Sequence, residues 1–559
     1  MSKYPKFDGL FIILAYCIST FCSLEAYAQD DDLNRVSGTY AIKNVTIIPS
    51  PGQKIENGVI VIKDGIISGV GKEVDIPSNA IIIKADSMFA YAGFIDGFSH
   101  IGVSPVSDEK KEKVKHPGNP PPERAGITPD RDVRDFINTK DNSIADYRGQ
   151  GFTIAQVVPS GNLLPGQAAI ILLSGNSTDE MVMVARSSLY SELSGASSVY
   201  PATIMGVMAK WRELHKQASQ AKIYETNYYA NPTGLERPES SRILQAFYPV
   251  IDGKTPVLFK SEKVIETQRV LTLQKDLGFK LIIGDLKEGW PIISKLKNSG
   301  ASIFLSLDLP EEIGEKKDST ASEEKLRLEK RKKETIANYV SQAVEMTKAG
   351  VVFGFSTNSV KAKSIHENLR RMVSAGLSED VALASLTTNA AKILGISDRV
   401  GTIEKGKIAN LILTDRPYFQ EKTEVQQVFV DGKLYTPSTG TKNANGKKAS
   451  VEGQWSYTAD TPQGKGGGKL VIENSSGRFK GSITNNFSGQ ETRIEEFDLS
   501  GNRMAFNYTI DIGGNQLKIE VSVAIDGDTF EGNMTAGQYG TFPMTGVRQP
   551  KSLMISENN

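Results

Sequence analysis

The chain has 559 residues, 39% hydrophobic and 23% charged, an ordinary globular composition long enough for three or four domains at roughly 150 residues each. Its 65 Lys and Arg balance its 65 Asp and Glu, so no net field draws it to nucleic acid or to an anionic membrane surface, and neither is expected as a partner. Both cysteines, Cys17 and Cys22, fall in the first thirty residues.

That first stretch has Lys3 and Lys6, an apolar run from Leu10 to Ile18, and Ala26-Tyr27-Ala28 before Gln29. A basic start, a short apolar middle and an A-x-A end predict a signal peptide over 1–28, cut after Ala28. The protein is therefore expected to be exported, periplasmic or secreted. No membrane anchor is expected after cleavage, because an unbroken run of about 20 apolar residues is missing. The mature chain then lacks cysteine, which excludes disulfides, thiolate nucleophiles and cysteine-rich metal sites.

From 38 to 90 short strands alternate with turns, and Lys63-Asp64-Gly65 reads as an Asp-Gly hairpin turn between apolar runs. From 91 to 398 strand-like runs (FTIAQVV, TPVLF, KLIIGD, SIFLSLD, VVFGFST) alternate with helical ones such as SEKVIETQRVLTLQKDLG, KKETIANYVSQAVEMTKAG and SIHENLRRMVSAG. That alternation predicts parallel β/α units closing into an α/β barrel, whose active site would lie at the carboxyl ends of the strands. Residues 309–334 form a charge-rich insertion of mixed sign, which suits a solvated helix or loop.

After 399 the pattern returns to short strands with a second Asp-Gly turn at Asp431-Gly432. The segments 38–90 and 399–436 are expected to share one discontinuous β domain. Residues 437–450 read as a polar linker. The rest, 451–549, has strands about every ten residues, with a loose echo between GRFKGSI (477–483) and DTFEGNMT (528–535). It is expected to close as a small all-β barrel or sandwich, for binding or as a passive stabilising module.

Several stretches carry a family resemblance: FAYAGFIDGFSHIGV (89–103), ENGVIVIKDGIISGVG, VDIPSNAIIIKA, SAGLSEDVALASLTTNAAKILGISDRVGTIEKGKIANLILTD and VFVDGKLY. Together they resemble the amidohydrolase superfamily, in its imidazolonepropionase-like branch, over residues 38–436. The resemblance implies a metal-dependent-hydrolase (β/α)8 TIM barrel with a composite β-sandwich domain, and hydrolysis of C–N bonds, often in cyclic amides, by water activated on one or two divalent metals. Such water needs several imidazole or carboxylate ligands converging on one point.

Matched position by position, this chain departs from that set. The family's His-x-His falls on Phe98-Ser99-His100. A lysine that can carry a bridging carboxylate falls near Leu172. A histidine after TPVLF falls on Lys260, or on Glu262 if the match slips by two. Another histidine falls on Gly284-Asp285, and the proton-accepting aspartate falls on Asn358, whose amide neither balances a dication nor takes a proton at neutral pH.

Among the four histidines, His100 is placed as a metal-ligand remnant or a satisfied mouth histidine. His366, after the last barrel strand, is placed within reach of the mouth or in surface packing. His116 in a proline-rich loop and His215 on a helix read as surface residues. Phe98, Lys260, Glu262, Asp285 and His366 are the expected lining of a small-molecule site, with Lys260 either supplying a fixed positive charge or extending to solvent. No cofactor is expected beyond a weakly held divalent metal such as zinc.

Two functions follow. One is an exported C–N hydrolase with weak or altered chemistry. The other is a non-catalytic binding or scaffold protein, with a second copy of itself (a homo-oligomer) or an active paralogue as the expected partner. No nucleophile elbow, phosphate loop or dinucleotide fingerprint supports another route.

Overall fold

The computed structural model describes residues 38–105, 114–312 and 323–437, and 451–549 apart from 462–463, 476–477, 486–488, 501–502, 513–514, 527 and 537–539. The expected signal peptide, both cysteines and all but the first residue of the expected linker lie outside the described residues. Among the described residues, no helix is long and apolar enough to cross a membrane. The chain forms two compact units, one up to Pro437 and one from Ser438 on.

The first strands are β1 (Tyr40–Ile48), β2 (Ile55–Lys63), β3 (Ile66–Gly71), β4 (Ile81–Lys84) and β5 (Phe89–Ala92). Asp64 and Gly65 both have positive φ, 51° and 76°, the conformation a two-residue hairpin turn requires and Asp-Gly tolerates. In β1 the ladder slips at Asn44, whose φ is 60°. This bulge switches the alternation, so that Ile42 and then Val45 and Ile47 face the same core.

The barrel strands are β6 (Phe94–Ser99), β7 (Phe152–Val157), β8 (Gly166–Leu172), β9 (Val182–Glu192), β10 (Val257–Lys260), β11 (Leu281–Leu286), β12 (Ser302–Ser306) and β13 (Gly354–Ser356), hydrogen-bonded in that order. Strands β6, β7, β8, β11 and β13 are buried along their whole length. They carry apolar side chains on both faces because helices, among them Val264–Leu277 and Ala362–Ser374, cover the outside.

The expected (β/α)8 repeat needs one correction. β8 runs antiparallel to both β7 and β9, so β7–β8–β9 is a meander inside an otherwise parallel barrel. Residues 158–165 are too few for the helical crossover that parallel neighbours require, whereas an antiparallel pair needs only a short link.

The seam between β13 and β6 is tied by side chains. Ser356 Oγ donates to the Phe98 carbonyl (2.9 Å), the Thr357 N–H to Asp96 Oδ1 (2.9 Å) and Thr357 Oγ1 to Asp96 Oδ2 (2.8 Å). The Phe304 ring lies against the same seam. A Cβ on Gly97 would stand 2.0 Å from Phe304 Cδ1, and one on Gly354 would stand 2.6 Å from Phe304 Cε1, so both glycines make room for one ring.

The chain then returns to the first sheet through β14 (Leu411–Thr414), β15 (Val425–Val430) and β16 (Lys433–Tyr435). β14 pairs antiparallel with β5, Leu411 opposite Ala92, which places both expected segments in one eight-stranded sheet of order β16-β15-β14-β5-β1-β2-β3 with β4 beside β1. The two separate layers of a sandwich are thus one continuous sheet that curls. Tyr40 on β1 and Phe429 on β15 have ring centroids 5.4 Å apart although β5 and β14 lie between their strands. The second Asp-Gly turn repeats the positive φ pair, 52° and 71°, and nests on the first: a Cβ on Gly432 would meet Gly65 Cα at 2.5 Å.

The second unit is a nine-stranded antiparallel sheet from β17 (Gly453–Thr461) through β18 (Gly464–Ser475), β19 (Arg478–Asn485), β20 (Glu491–Arg493), β21 (Glu496–Ser500), β22 (Arg503–Ile512), β23 (Asn515–Asp526) and β24 (Thr529–Ala536) to β25 (Thr541–Arg548). Its order is β20-β19-β18-β17-β25-β24-β23-β22-β21. Phe479 near one end and Phe497 at the other have centroids 5.1 Å apart, so the sheet rolls up around its own core, with Trp455 and Phe530 inside.

Candidate functional site

The carboxyl ends of the parallel strands gather a group of side chains, and Phe98 lies at its base. The ring is wholly buried. It packs on Tyr190 of β9 at 5.5 Å, and a Cβ on Gly284 of β11 would touch it at 3.2 Å. Phe98 therefore spans the barrel interior and fills it with hydrocarbon.

His100, next on that face, stands with Nδ1 2.9 Å from the Val158 carbonyl. Burial, and then the nearby positive charge of Lys260, hold this imidazole below its ordinary pKa. It is neutral at pH 7, and Nδ1–H donates to the carbonyl.

Lys260 ends β10, opposite Glu192 of β9 and Gly284 of β11. Its ammonium is 3.9 Å from Glu262. Glu262 is also 3.5 Å from Lys287, which is 2.8 Å from Asp308. Glu192 accepts a short hydrogen bond from the Tyr190 hydroxyl. Burial raises the Glu192 carboxyl, while the Lys260 charge opposes that rise.

Asp285 sits in a bulge between β11 and β12, with φ of 58°, and is fully buried. Its carboxylate accepts from Asn358 Nδ2 (2.9 Å) and lies 3.2 Å from Ser356 Oγ, whose single proton is shared with the nearer Phe98 carbonyl. Burial pushes the Asp285 carboxyl up, against the pull of the Asn358 and Ser306 hydrogen bonds. Below it Asp96, held by Thr357 and the Phe98 N–H, is pushed up to about 7 by burial.

The fold brings Phe98, His100, Lys260, Glu262, Asp285 and Asn358 together, and leaves three expectations aside. Leu172 pairs with Ile154 near the start of β7; because β8 runs backwards, this position is at the end of the barrel away from the mouth. His366 directs Nε2 to the Tyr418 carbonyl at 2.7 Å. The Tyr418 ring packs on Phe94, the first residue of β6, so His366 serves the opposite side of the barrel. His215 is half-buried and stacks on Trp211 instead of lying free on the surface. His116 is exposed, as expected.

Tyr190, Glu192, Lys287 and Asp308 were not foreseen. Glu192 and Tyr190 lie on β9, whose polar sequence (RSSLYSE) hides a strand. Lys287 comes two residues after the run KLIIGD and Asp308 ends the run SIFLSLD, which is the signal that could have found them.

A divalent ion does not suit this donor set. The His100 Nδ1 is engaged, Asp285 is held by an amide, Glu192 accepts from the Tyr190 hydroxyl, and Glu262 and Asp308 are already paired with the ammonium groups of Lys260 and Lys287. Among the described residues, no three His, Cys, Asp or Glu are grouped to hold an ion. A dication placed here would face the like charge of Lys260 and Lys287.

The family model of the amidohydrolase family matches residues 289–435. The imidazolonepropionase of Flavobacterium johnsoniae is 22% identical over 421 residues, covering 68% of this chain and 92% of that protein. The crystal structure of an amidohydrolase from Thermotoga maritima MSB8 superposes with a TM-score of 0.58 at 21% identity, covering 71% of this chain and 100% of that one. Residues 289–435 thus match the amidohydrolase family, and the similarity to the Flavobacterium protein extends over 421 residues. A stretch of 78 residues is also 31% identical to adenine deaminase 2 of Jannaschia sp., covering 14% of this chain and 12% of that protein. The barrel mouth of this chain is a row of alternating charges, Lys260, Glu262, Lys287 and Asp308, laid over an aromatic floor.

Proposed function

We propose that this chain is an exported amidohydrolase-superfamily protein that takes a small-molecule ligand at the barrel mouth, with metal-dependent hydrolysis of C–N bonds weak, altered or lost. The observation that carries this reading is the Lys260–Glu262–Lys287 arrangement, with distances of 3.9 and 3.5 Å. Ammonium groups stand where a dication would need anionic or imidazole ligands. A half-buried ammonium can still hold a carbonyl oxygen of a cyclic amide, the substrate class that the family resemblance implies. It supplies no nucleophile, and Asn358 supplies no base. Export rests on the basic, apolar and A-x-A pattern of the first 28 residues.

Metal content of the purified protein, followed by hydrolysis assays on cyclic amides with added zinc or manganese, tests the proposal. Clearly substoichiometric metal and no metal-stimulated turnover are expected. One tightly bound metal per chain together with turnover overturns it.

A second reading, a residual hydrolase, is favoured by one feature. Asp285 is a buried carboxyl at a family ligand position whose pKa is raised, a state suited to proton exchange. Turnover that persists with chelator and vanishes in Asp285→Asn would establish that reading.

A further inference from the structure

The rolled C-terminal sheet encloses a cavity of about 230 Å3 lined from β17, β19, β20 and β22 and the residues flanking them. In the strand order β20 is at one end and β22 next to the other end, so the cavity exists because the sheet closes. Tyr457, Tyr508 and Ile483 form its buried base, at 6%, 7% and 2% exposure. Asn485, Gln490 and Asp511 at the other end are exposed. The cavity is thus a cup with one open rim.

The base has polar capacity to spare. The Tyr508 hydroxyl donates to the thioether sulfur of Met534 at 3.6 Å, a weak acceptor. The Tyr457 hydroxyl donates to the Thr484 carbonyl at 3.4 Å, long for an O–H···O bond. Burial lifts the Tyr457 pKa to about 12 and raises that of Tyr508 as well, so both remain neutral hydroxyls whose oxygens keep acceptor capacity. Gly468 on β18 gives Tyr457 its place, since a Cβ there would stand 2.8 Å from the phenol oxygen.

Among the described residues, the lining offers phenol, hydroxyl, amide and a single carboxylate from Asp511, with no ammonium, guanidinium or imidazole. Anions are disfavoured. The volume lies above the roughly 150 Å3 that admits a benzene ring and below the roughly 300 Å3 at which drug-sized sites begin, which leaves room for one six-membered ring. A saturated ring can lay its C–H face on the phenol rings while its hydroxyls meet the phenol oxygens, Thr492 and the amide rim. We propose that the C-terminal β unit binds an uncharged cyclic polyol of monosaccharide size in this cup, seated on Tyr457 and Tyr508.

The full chain is titrated with glucose, galactose and mannose, read by saturation-transfer NMR and calorimetry. Saturable binding of at least one hexose is expected. It should weaken roughly tenfold in Tyr508→Phe, which removes a hydroxyl and keeps the ring, and should be lost in Thr492→Trp, which fills the cup near its rim. Failure of all three hexoses to bind overturns the proposal, as does binding unchanged in both variants. Uptake of phenol with refusal of the hexoses also overturns it, by identifying an apolar cavity.

Discussion

At the scale of single residues, Asp96 and Lys260 show how burial decides what a charge does. Asp96 is buried with a pKa near 7, above the roughly 3.9 of an unfolded aspartate. The folded state therefore holds the proton more tightly. Its contribution to stability is complete below about pH 4 and is lost as pH rises toward about 7, amounting to a few kcal/mol at most. Asp96→Asn keeps an acceptor for the Thr357 N–H, and its urea midpoint should change less than that of the wild type between about pH 4 and about pH 7; parallel curves would reject this role. Lys260 is 29% exposed and shares Glu262 with Lys287, so Lys260→Met should cost only about 1 kcal/mol after solvent screening. An unchanged midpoint in chemical denaturation would mean that the ammonium simply faces water. The sequence placed Lys260, Glu262, Asp285 and Asn358 at the mouth, because each follows a readable apolar run. It could not place Glu192, whose strand has too few apolar residues to stand out, nor orient His366, whose helix phase depends on what packs beneath it.

At the scale of elements, the β6–β13 seam rests on side chains and on two glycines that accommodate Phe304. A methyl group on Gly97 has nowhere to go, so Gly97→Ala should destabilise by about 3 kcal/mol or more, read as a fall in Tm. Adding Phe304→Leu should recover part of that loss, because the smaller side chain yields the space; a double mutant no better than the single one would show that the seam is not limited by this contact. The antiparallel course of β8 has the larger consequence for the site. The resemblance put Leu172 at a ligand position, whereas the antiparallel course of β8 carries it to the other end of the barrel; hydrophobic patterning is the same read in either direction and could not reveal that.

At the scale of the whole molecule, the units ending at Pro437 and beginning at Ser438 have separate apolar cores. Calorimetry should resolve two unfolding transitions, and Gly97→Ala should lower one and leave the other in place. A single transition that shifts as a whole would contradict this independence. By itself the sequence determined the strand and helix runs of the barrel, both Asp-Gly hairpin turns and the return of the chain to its first sheet. These are properties of local periodicity, turn chemistry and residue type, which neighbouring positions in the chain specify. Only the tertiary structure decided that β8 runs backwards, that Phe98 fills the interior against Tyr190, that Lys260, Glu262 and Lys287 form one charged row, and that the last sheet closes around a cup. Each of these depends on contacts between residues tens to hundreds of positions apart, which hydrophobic pattern leaves open until the sheets close.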